Sequence, residues 1–279
     1  MTMDYRELTP KHPLSRFINK VWFLSCPSVH KQEKILPLPV HHFIINLSDE
    51  QYKVVQQGDE VRSWVFADGF VSGIQSRYLI IENPALIRHV GVELKPYGLS
   101  AFTSHAPEKY ANIVLASESV FPGSTQLARE LRQMSDPDQQ LNQLLDFMTE
   151  KLKADYVLPR YVEASLPFLD TMAPIADIAQ RVGVSHKQLT QQWNRYTGVS
   201  PKHYQNIVRL QQVVRWFGQA NKPVRWSILA SELSYCDQPH FIRTFRTLTG
   251  FSPREYAQML ERYPSGDQSF VALDDTYTG

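Results

Sequence analysis

The chain repeats one stretch of sequence: Thr197-Gly198-Val199-Ser200-Pro201-Lys202-His203-Tyr204 returns as Thr249-Gly250-Phe251-Ser252-Pro253-Arg254-Glu255-Tyr256. The likeness continues upstream, where an aromatic residue lies four positions before each threonine. Four positions before each aromatic lies a bulky apolar residue, and four before that a residue that can cap a helix. These pairs are Trp193 and Phe245, Leu189 and Phe241, and Ser185 and Asp237. A duplicated unit of two short helices joined by a tight turn is typical of a tandem helix-turn-helix reader of DNA.

The first unit contains a helix with Ile178 and Ala179 on its apolar side, followed by Gly183, which supplies the turn. Ser185 followed by Gln188 forms a capping box that opens the recognition helix. Inward-facing Leu189 and Trp193 leave five polar side chains outside, where they can reach the edges of bases. These candidate DNA contacts are His186, Lys187, Thr190, Gln191 and Arg195.

The second unit follows the same pattern with one extra residue in its turn, and Asp237 caps its recognition helix. The outward-facing residues of this helix are Gln238, Pro239, His240, Arg243, Thr244 and Arg246. We predict that Arg243 makes a bidentate contact to guanine and that Arg246 contacts a phosphate. Exposed polar residues on an amphipathic helix are often only solvated surface, and it is the duplicated caps and turns that favour a DNA-binding interpretation.

A long helix from Pro201 to about Gly218 is predicted between the two units, with Ser200 as its cap. At 1.5 Å per residue it measures roughly 27 Å. Together with its flanking turns, it could place two recognition helices roughly 34 Å apart, which is one turn of DNA. Both units could then enter successive major grooves on the same face of the duplex.

Length and composition indicate a soluble protein of two domains. The 279 residues are 43% apolar, and no run is long and apolar enough to span a bilayer. The N-terminus lacks a signal-peptide pattern, and the two cysteines give no disulfide framework, so we expect a cytoplasmic protein. The net charge of +1 is uneven, since residues 160–262 carry 13 Lys and Arg against 7 Asp and Glu. A basic surface there suits DNA phosphates.

Residues 35 to about 115 are rich in β-branched and aromatic runs separated by turn formers, which favours a small barrel or sandwich. Two helices with narrow apolar stripes follow Ser124, and they could either pack on this barrel or pair with a second subunit. The predicted organisation is an effector-binding and dimerisation domain over 1–155, a DNA-binding domain over 156–262 and a flexible tail over 263–279.

From Ile178-Ala179 to Tyr204, and again from Leu229-Ala230 to Tyr256, the sequence closely resembles the DNA-binding domain of AraC/XylS transcription regulators. The resemblance covers about residues 160–260 and implies groove contacts by His186, Lys187, Thr190 and Gln191, and by Gln238, Pro239, His240 and Arg243. Two residues depart from the family pattern: Ser234 replaces a usual glycine, and Pro167 falls within the expected first helix, where it should produce a kink.

The N-terminal half resembles the cupin-like sensor domain of some members of this family, through Ile35-Leu36-Pro37 and Val90-Gly91-Val92-Glu93-Leu94-Lys95-Pro96-Tyr97-Gly98. The fold class expected is therefore α+β: a small β-barrel with helices, followed by an all-α domain of two helix-turn-helix units joined by a long helix. The resemblance implies an effector-binding barrel. We hypothesise a pocket lined by Phe43, Ile45, Trp64, Phe66, Tyr78 and Glu93.

No cofactor, catalytic residue or metal site is expected. His41 and His42 are adjacent on a predicted strand, so only one of them could reach a shared metal. The sequence therefore predicts a sequence-specific transcription activator or repressor rather than an enzyme. The expected partners are double-stranded DNA, an unidentified small-molecule effector, RNA polymerase and a second copy of the chain. Two alternatives remain open at this stage: a cupin-type enzyme fused to a DNA-binding domain, and a DNA-binding protein that needs no ligand.

Overall fold

The N-terminal half consists of antiparallel strands. The computed structural model describes residues 3–219, 237–262 and 268–273. The strands are β1 (Asp4–Leu8), β2 (Ile18–Pro27), β3 (Gln32–Ile35), β4 (His41–Asn46), β5 (Tyr52–Gln57), β6 (Glu60–Phe66), β7 (Gly69–Ser72), β8 (Leu79–Glu82), β9 (Leu86–Leu94), β10 (Val114–Ala116) and β11 (Phe270–Leu273). Short 3₁₀ helices cover Leu14–Arg16, Gly98–Ala101 and Pro107–Lys109. The sequence predicts β structure only from residue 35, so β1, β2 and β3 extend the prediction towards the N-terminus.

The strands form two sheets. One has the order β1-β2-β9-β4-β7-β10, and the other has the order β11-β3-β8-β5-β6. Neighbouring strands run antiparallel, as between β4 and β9, where Phe43 lies opposite Val92. Within the described residues the outer strands of each sheet do not pair with each other. The predicted β-rich domain is therefore confirmed, but its sheets remain open where a closed barrel was expected.

The two faces of the six-stranded sheet have different chemistry because side chains alternate along each strand. Val90 and Val92 of β9 are completely buried on one face. His89 projects from the opposite face, where its Nδ1 lies 2.9 Å from the hydroxyl of Tyr52 in the second sheet. Gly91 lies on that face directly under the ring of Trp22, so close that an added Cβ would come within 2.3 Å of it.

Helices cover the apolar face of this sheet. The helices of the N-terminal half are α1 (Ser117–Val120), α2 (Ser124–Gln133) and α3 (Pro137–Lys151). The apolar stripes of α2 and α3 pack within the chain. Leu131, Leu141, Leu144 and Met148 have no exposed surface and share a core with the sheet. Arg132 of α2 forms an ion pair of 2.9 Å with Asp68. Of the two possibilities that the sequence leaves open, packing on the sheet is the observed one.

The C-terminal half is helical. Its described helices are α4 (Arg160–Asp170), α5 (Ile175–Arg181), α6 (His186–Thr197), α7 (Pro201–Gln219), α8 (Gln238–Thr249) and α9 (Pro253–Arg262). Helix α4 continues through Pro167, which cannot donate the backbone hydrogen bond of its position. None of the described helices is long and apolar enough to cross a membrane.

The segment after α9 departs from its prediction. A flexible tail is expected over 263–279, but Phe270–Leu273 forms β11, which pairs antiparallel with β3 and places Phe270 opposite Ile35. Val271, Ala272 and Leu273 are buried. The composition of this segment misleads because its four apolar residues are flanked by Ser, Gly and Asp. The end of the chain thus returns to the N-terminal half.

The two halves share their cores. One hydrophobic cluster runs from Leu14 in the N-terminal half to Val208 in α7. A second joins Ile80 of β8 and Leu36, which follows β3, to Phe241 and Phe245 of α8. Polar contacts reinforce this packing: Gln211 of α7 donates to the carbonyl of Pro37 at 2.7 Å, and Arg16 pairs with Glu163 of α4 at 2.7 Å.

Candidate nucleic-acid interface

The first helix-turn-helix unit consists of α5 and α6. Gly183 takes a left-handed φ of 77° in the turn between them, which a residue without a Cβ adopts easily. The hydroxyl of Ser185 accepts from the backbone N–H of Gln188 at 3.1 Å and so caps α6. Leu189 and Trp193 have no exposed surface, which confirms that they belong to the core. The remaining faces of α6 are left for other contacts.

The second unit ends in α8, which is built in the same way. The carboxylate of Asp237 accepts from the backbone N–H of His240 at 2.6 Å, and Phe241 and Phe245 are fully buried. The first helix of this unit, including Leu229-Ala230 and the turn Ser234-Tyr235-Cys236, lies outside the described residues. The expectation that Ser234 alters this turn therefore stays a prediction.

The duplication extends to the hydrogen bonds that end both recognition helices. Gly198 and Gly250 close α6 and α8 with φ values of 84° and 72°. The hydroxyls of Thr197 and Thr249 each lie 2.8 Å from the carbonyl oxygen of the residue four positions earlier. Each hydroxyl also accepts from the backbone N–H two residues later, at 3.3 Å in the first unit and 3.0 Å in the second. Both units therefore follow one structural template.

The helices that follow the two recognition helices start with equivalent caps. Ser200 accepts from the N–H of His203 at 3.2 Å to open α7, and Ser252 accepts from the N–H of Glu255 at 3.3 Å to open α9. Helix α7 has 19 residues, which corresponds to about 28 Å. The predicted long helix between the units is thus present, with nearly the predicted bounds.

The eleven candidate DNA contacts all lie at least partly on the surface, and none belongs to the core. Those with exposed side chains are His186, Lys187, Gln191, Arg195, Pro239, Arg243 and Arg246. Those that are half-buried are Thr190, Gln238, His240 and Thr244. The helical period therefore separates core from surface as the sequence predicts.

Arg243 and Arg246 have different surroundings. Arg246 lies close enough to Glu255 of α9 for its charge to help hold the pKa of that carboxyl below its usual value, after the hydrogen bonds from Ser252. Within the described residues neither arginine forms an ion pair within 4.0 Å, and the side chain of Arg243 is exposed. This difference supports separate roles for the two arginines.

The N-terminal half borders one side of the first recognition helix. Gln191 and Arg195 of α6, together with Gln192 and Asn194, face Ala106 and Glu108 across a crevice of about 400 Å³. His186 and Lys187 lie at the opposite, N-terminal end of α6. Two of the candidate DNA contacts therefore face the N-terminal half in this arrangement.

The turns after both recognition helices pack against the N-terminal half, which the sequence does not predict. A Cβ added to Gly198 would lie 2.8 Å from the carbonyl oxygen of Pro107, and one added to Gly250 would lie 2.5 Å from the ring of Tyr78. Phe251 follows Gly250, and the centre of its ring lies 3.8 Å from the buried ammonium of Lys34. The repeated Thr-Gly sequence thus marks these docking points as well as the ends of the two recognition helices.

The hypothesised effector residues do not come together around one cavity. Phe43 and Ile45 face the helices, where Phe43 stacks on Phe121 at 4.5 Å between ring centres. Tyr78 belongs to the core that reaches the second helix-turn-helix unit, while Trp64 and Phe66 belong to a third cluster. Glu93 accepts a hydrogen bond from Asn19 at 2.9 Å. Strand alternation and the two-sheet arrangement separate residues that a single closed barrel would have gathered.

The adjacent histidines point to opposite faces of β4, as expected. His41 is fully buried with its Nε2 2.9 Å from the carbonyl oxygen of Pro96, and His42 lies edge-on to Trp22 on the other face. Burial lowers the pKa of His41 to about 4. Among the residues that the structure describes, no group of three His, Cys, Asp or Glu side chains could hold a metal ion.

Two family models match the chain. The model described as "Helix-turn-helix domain" matches residues 178–259. The model described as "Domain of unknown function (DUF6597)" matches residues 6–115. No curated protein matches the chain in sequence.

Solved structures of several bacterial proteins resemble the chain or part of it. A transcriptional regulator with an AraC-type DNA-binding domain from Chromobacterium violaceum is 24% identical, with a TM-score of 0.34, and the match covers 38% of this chain and 96% of that one. The C-terminal domain of the response regulator AraT from Geobacillus stearothermophilus is 19% identical, with a TM-score of 0.35, over 40% and 96%. ToxT from Vibrio cholerae is 9% identical, with a TM-score of 0.47, over 92% and 98%.

Proposed function

We propose that the chain is a DNA-binding transcription regulator of the AraC type, which the match of residues 178–259 to the helix-turn-helix family model supports, and that it recognises and releases its operator as follows. Both units read DNA, each inserting the N-terminal part of its recognition helix into the major groove. The two grooves are successive ones, and the proposal is supported by the length of α7, which with its flanking turns is compatible with a spacing of about one helical turn. A single chain then recognises two short sequence elements.

The observation that carries this proposal is the structural duplication. The two recognition helices share the same cap position, the same pair of buried side chains and the same threonine bonds at their ends. A helix that served only to fill space would need the core residues but not the matching polar face. Both α6 and α8 carry that face, with His186, Lys187, Thr190, Gln191 and Arg195 on the first and Gln238, Pro239, His240, Arg243, Thr244 and Arg246 on the second.

The N-terminal half, over residues 1–155, is the controlling half in this proposal, and residues 156–262 bind DNA. Support comes from the packing of both Gly198 and Gly250 against the N-terminal half. A small molecule that favours or disfavours this packing would change the freedom of the two units to align with two grooves. A homodimer, which the sequence also suggests, would have to use a surface other than the buried stripes of α2 and α3.

Paired alanine variants test the proposed base contact. Arg243→Ala should cost about 1–3 kcal/mol on the cognate site and relax discrimination at one base pair, because a bidentate contact to guanine is lost. Arg246→Ala should weaken binding to all sequences alike and lower the slope of log K against log salt by about one. Both effects can be measured by fluorescence anisotropy on cognate and random duplexes over a salt series.

The matched control for both variants is Arg254→Ala. Arg254 is an exposed arginine of the same unit, but it lies at the start of α9 rather than on the recognition helix. It should leave cognate binding and the salt slope close to those of the unmodified chain. If Arg243→Ala and Arg246→Ala behaved identically on cognate and random DNA, the division between base and phosphate contacts would be wrong.

A further inference from the structure

We propose that two copies of the chain associate through β6, whose outer edge pairs antiparallel with the same edge of a second copy across a two-fold axis at Ser63. The two five-stranded sheets then join into one continuous sheet. The inference names the partner and the surface of association, and it rests on the proposed function only where it concerns DNA.

The outer side of β6 is unpaired. Strand β6 is an edge of the five-stranded sheet, where it pairs with β5. Among the residues that the structure describes, no strand pairs with its other side, so alternate residues of this seven-residue strand direct backbone N–H and C=O groups away from the sheet. This row of groups spans about 23 Å. An unpaired row of this length is a template for another strand.

The other sheet edges in the described part of the chain are less suited to pairing. Strand β1 is an edge of the six-stranded sheet, but its Arg6 forms an ion pair of 2.9 Å with Asp138. Its Glu7 forms an ion pair of 3.0 Å with Lys20. Strand β10 has three residues, and β11 has four residues, three of which are buried. Of these edges, β6 alone combines length with exposed apolar side chains.

The exposed apolar side chains of β6 lie on one face. Val61 is 85% exposed and Val65 is 48% exposed. Ser63 lies between them and is also exposed. The three residues share a face because side chains alternate along a strand. A single exposed valine is ordinary on a protein surface, but two that flank one position of an unpaired edge can be covered together by a second strand.

The sequence of β6 is complementary to itself in one register. A two-fold axis perpendicular to the sheet keeps each face on its own side, so directly opposite residues must share a face. An axis at Ser63 meets this condition and pairs all seven residues. Val61 then lies opposite Val65 of the second copy. Arg62 lies opposite Trp64 of the second copy, and pairs of both kinds stabilise neighbouring strands. An axis at Arg62 would instead place two guanidinium groups opposite each other.

The charge of Arg62 does not oppose pairing at Ser63. Arg62 forms an ion pair with Glu60 of the same strand and donates to the side-chain oxygen of Gln57 at 3.1 Å. Its guanidinium carbon lies 5.1 Å from the ring centre of Trp64. Because the charge is balanced within each copy, pairing of the edges buries no isolated charge.

The exposed face of β6 continues the face that holds the second helix-turn-helix unit. Directly opposite residues form a row across β3, β8, β5 and β6, which consists of Lys34, Ile80, Gln56 and Val61. At the far end of this row, the ammonium of Lys34 lies 3.8 Å from the ring centre of Phe251. Association through β6 therefore links two sheets that each carry a second unit.

Sedimentation velocity of the full chain tests the association. A contact made by one strand pair is small, so we expect a monomer–dimer equilibrium within about 1–100 μM. Ser63→Lys places two ammonium groups opposite each other at the axis and should raise the dissociation constant of the dimer by about tenfold or more. Val29→Lys is the matched control, because Val29 is 83% exposed and lies between β2 and β3. It should leave the dissociation constant unchanged.

Disulfide cross-linking tests the register. With the axis at Ser63, the Cα atoms of the two copies of this residue lie about 4.5–5.5 Å apart, which is within the range of a disulfide. Oxidised glutathione should therefore link two chains of Ser63→Cys covalently. Val65→Cys is the control, because the two copies of position 65 lie four residues out of register, more than about 13 Å apart. The unmodified chain, with Cys26 and Cys236, gives the background.

A monomer at every concentration would overturn the inference, as would equal dissociation constants for Ser63→Lys and the unmodified chain. Cross-linking of Val65→Cys as readily as Ser63→Cys would also overturn it, since the strands would then pair in another register. Binding to selected DNA separates this failure from that of the proposed function. Sequence-specific binding by a chain that stays monomeric refutes the dimer alone, whereas absence of sequence-specific binding refutes the proposed function whatever the oligomeric state.

Discussion

At the scale of single residues, buried His41 and half-buried His89 make the stability of the N-terminal half depend on pH. His89 accepts from the indole N–H of Trp22 at its Nε2, over 3.1 Å, and its Nδ1 lies 2.9 Å from the hydroxyl of Tyr52. Burial is the main reason that the pKa of His89 falls from 6.5 to about 4. The same cause brings the pKa of His41 to about 4. Both side chains are neutral in the folded protein at neutral pH.

Because the pKa values of both histidines are lowered in the folded protein, we expect the protein to lose stability in mild acid. Below about pH 6.5 the unfolded chain takes up protons that the folded chain refuses, so the free energy of unfolding falls as pH drops towards about 4. Between about pH 7 and 8 the histidines contribute no further change, because they are neutral in both states there. Burial lowers the pKa of Lys34 to about 7, so this lysine adds stability as the pH rises through that range. Each histidine can contribute up to about 3 kcal/mol. Urea titrations at about pH 7.5 and pH 5 measure the difference.

Two variants test whether His89 causes the pH dependence of stability. His89→Gln removes one titrating group and should make stability less dependent on pH, even if the variant is less stable overall. His186→Gln removes an exposed histidine and should leave the pH dependence unchanged. Equal pH dependence in His89→Gln and the unmodified chain would show that His89 is not buried in its neutral form.

Single residues were predictable where they obey a local rule. The caps Ser185 and Asp237 and the buried aromatics Trp193 and Phe245 follow from helical spacing alone, and the structure confirms them. Lys34 was not predictable, because a lysine with 1% exposure contradicts the usual preference of its side chain for water. Its ammonium lies 4.0 Å from the ring centre of Tyr78 and so depends on residues that are distant in sequence.

At the scale of elements, the second recognition helix depends on one aromatic cluster. Phe245 has no exposed surface, and its ring centre lies 5.9 Å from that of Phe241 and 5.5 Å from that of Tyr256. The contact with Tyr256 fixes α8 against α9, and Leu210, Val213 and Val214 of α7 belong to the same hydrophobic cluster. The polar face of α8 can be held towards DNA only while this cluster is intact.

Truncation of the Phe245 side chain should therefore destabilise the second unit. Phe245→Ala should lower the free energy of unfolding by about 3–5 kcal/mol, through lost burial and the cavity that remains. Thr247→Ala, an exposed change two residues away on the same helix, should stay within about 0.5 kcal/mol. Chemical denaturation followed by circular dichroism compares the two variants. Nearly unchanged stability in Phe245→Ala would disprove the core assignment.

The helices and strands differ in how well their own sequences predict them. Helices α6 and α7 carry apolar stripes with capping residues, and α7 has nearly its predicted bounds. Strand β1 is exposed along its whole length and has no alternation to detect. Strand β11 is four residues long and is defined by pairing with β3. Non-local pairing of this kind leaves little trace in the strand itself.

At the scale of the whole molecule, the two halves are joined by shared cores and by polar contacts between them. The same hydrophobic cluster contains strands of the N-terminal half and helices of the first unit. The second unit is held through Tyr78 and Lys34 against Phe251. The sequence predicts two separate domains, over residues 1–155 and 156–262. It contains no local signal for the contacts across that boundary.

Because the two halves share their hydrophobic cores, we expect the full chain to unfold cooperatively. A calorimetric scan should show one transition, because neither half can unfold without exposing apolar surface of the other. Lys34→Met keeps the apolar stem of the side chain while it removes the charge between two rings, and it should shift this single transition rather than divide it. Two well-separated transitions in the unmodified chain would contradict the account of the interface.

The most direct test of the central claim, that both units read DNA, is selection of bound fragments from a random duplex library with the full chain, followed by a salt titration on the enriched sequences. The account predicts a motif of two short elements whose centres lie about one helical turn apart, roughly 10.5 base pairs. Arg243→Ala should lose preference at one position of one element and keep the other element unchanged. A motif with only one element, or no enriched motif with only salt-sensitive binding, would contradict it.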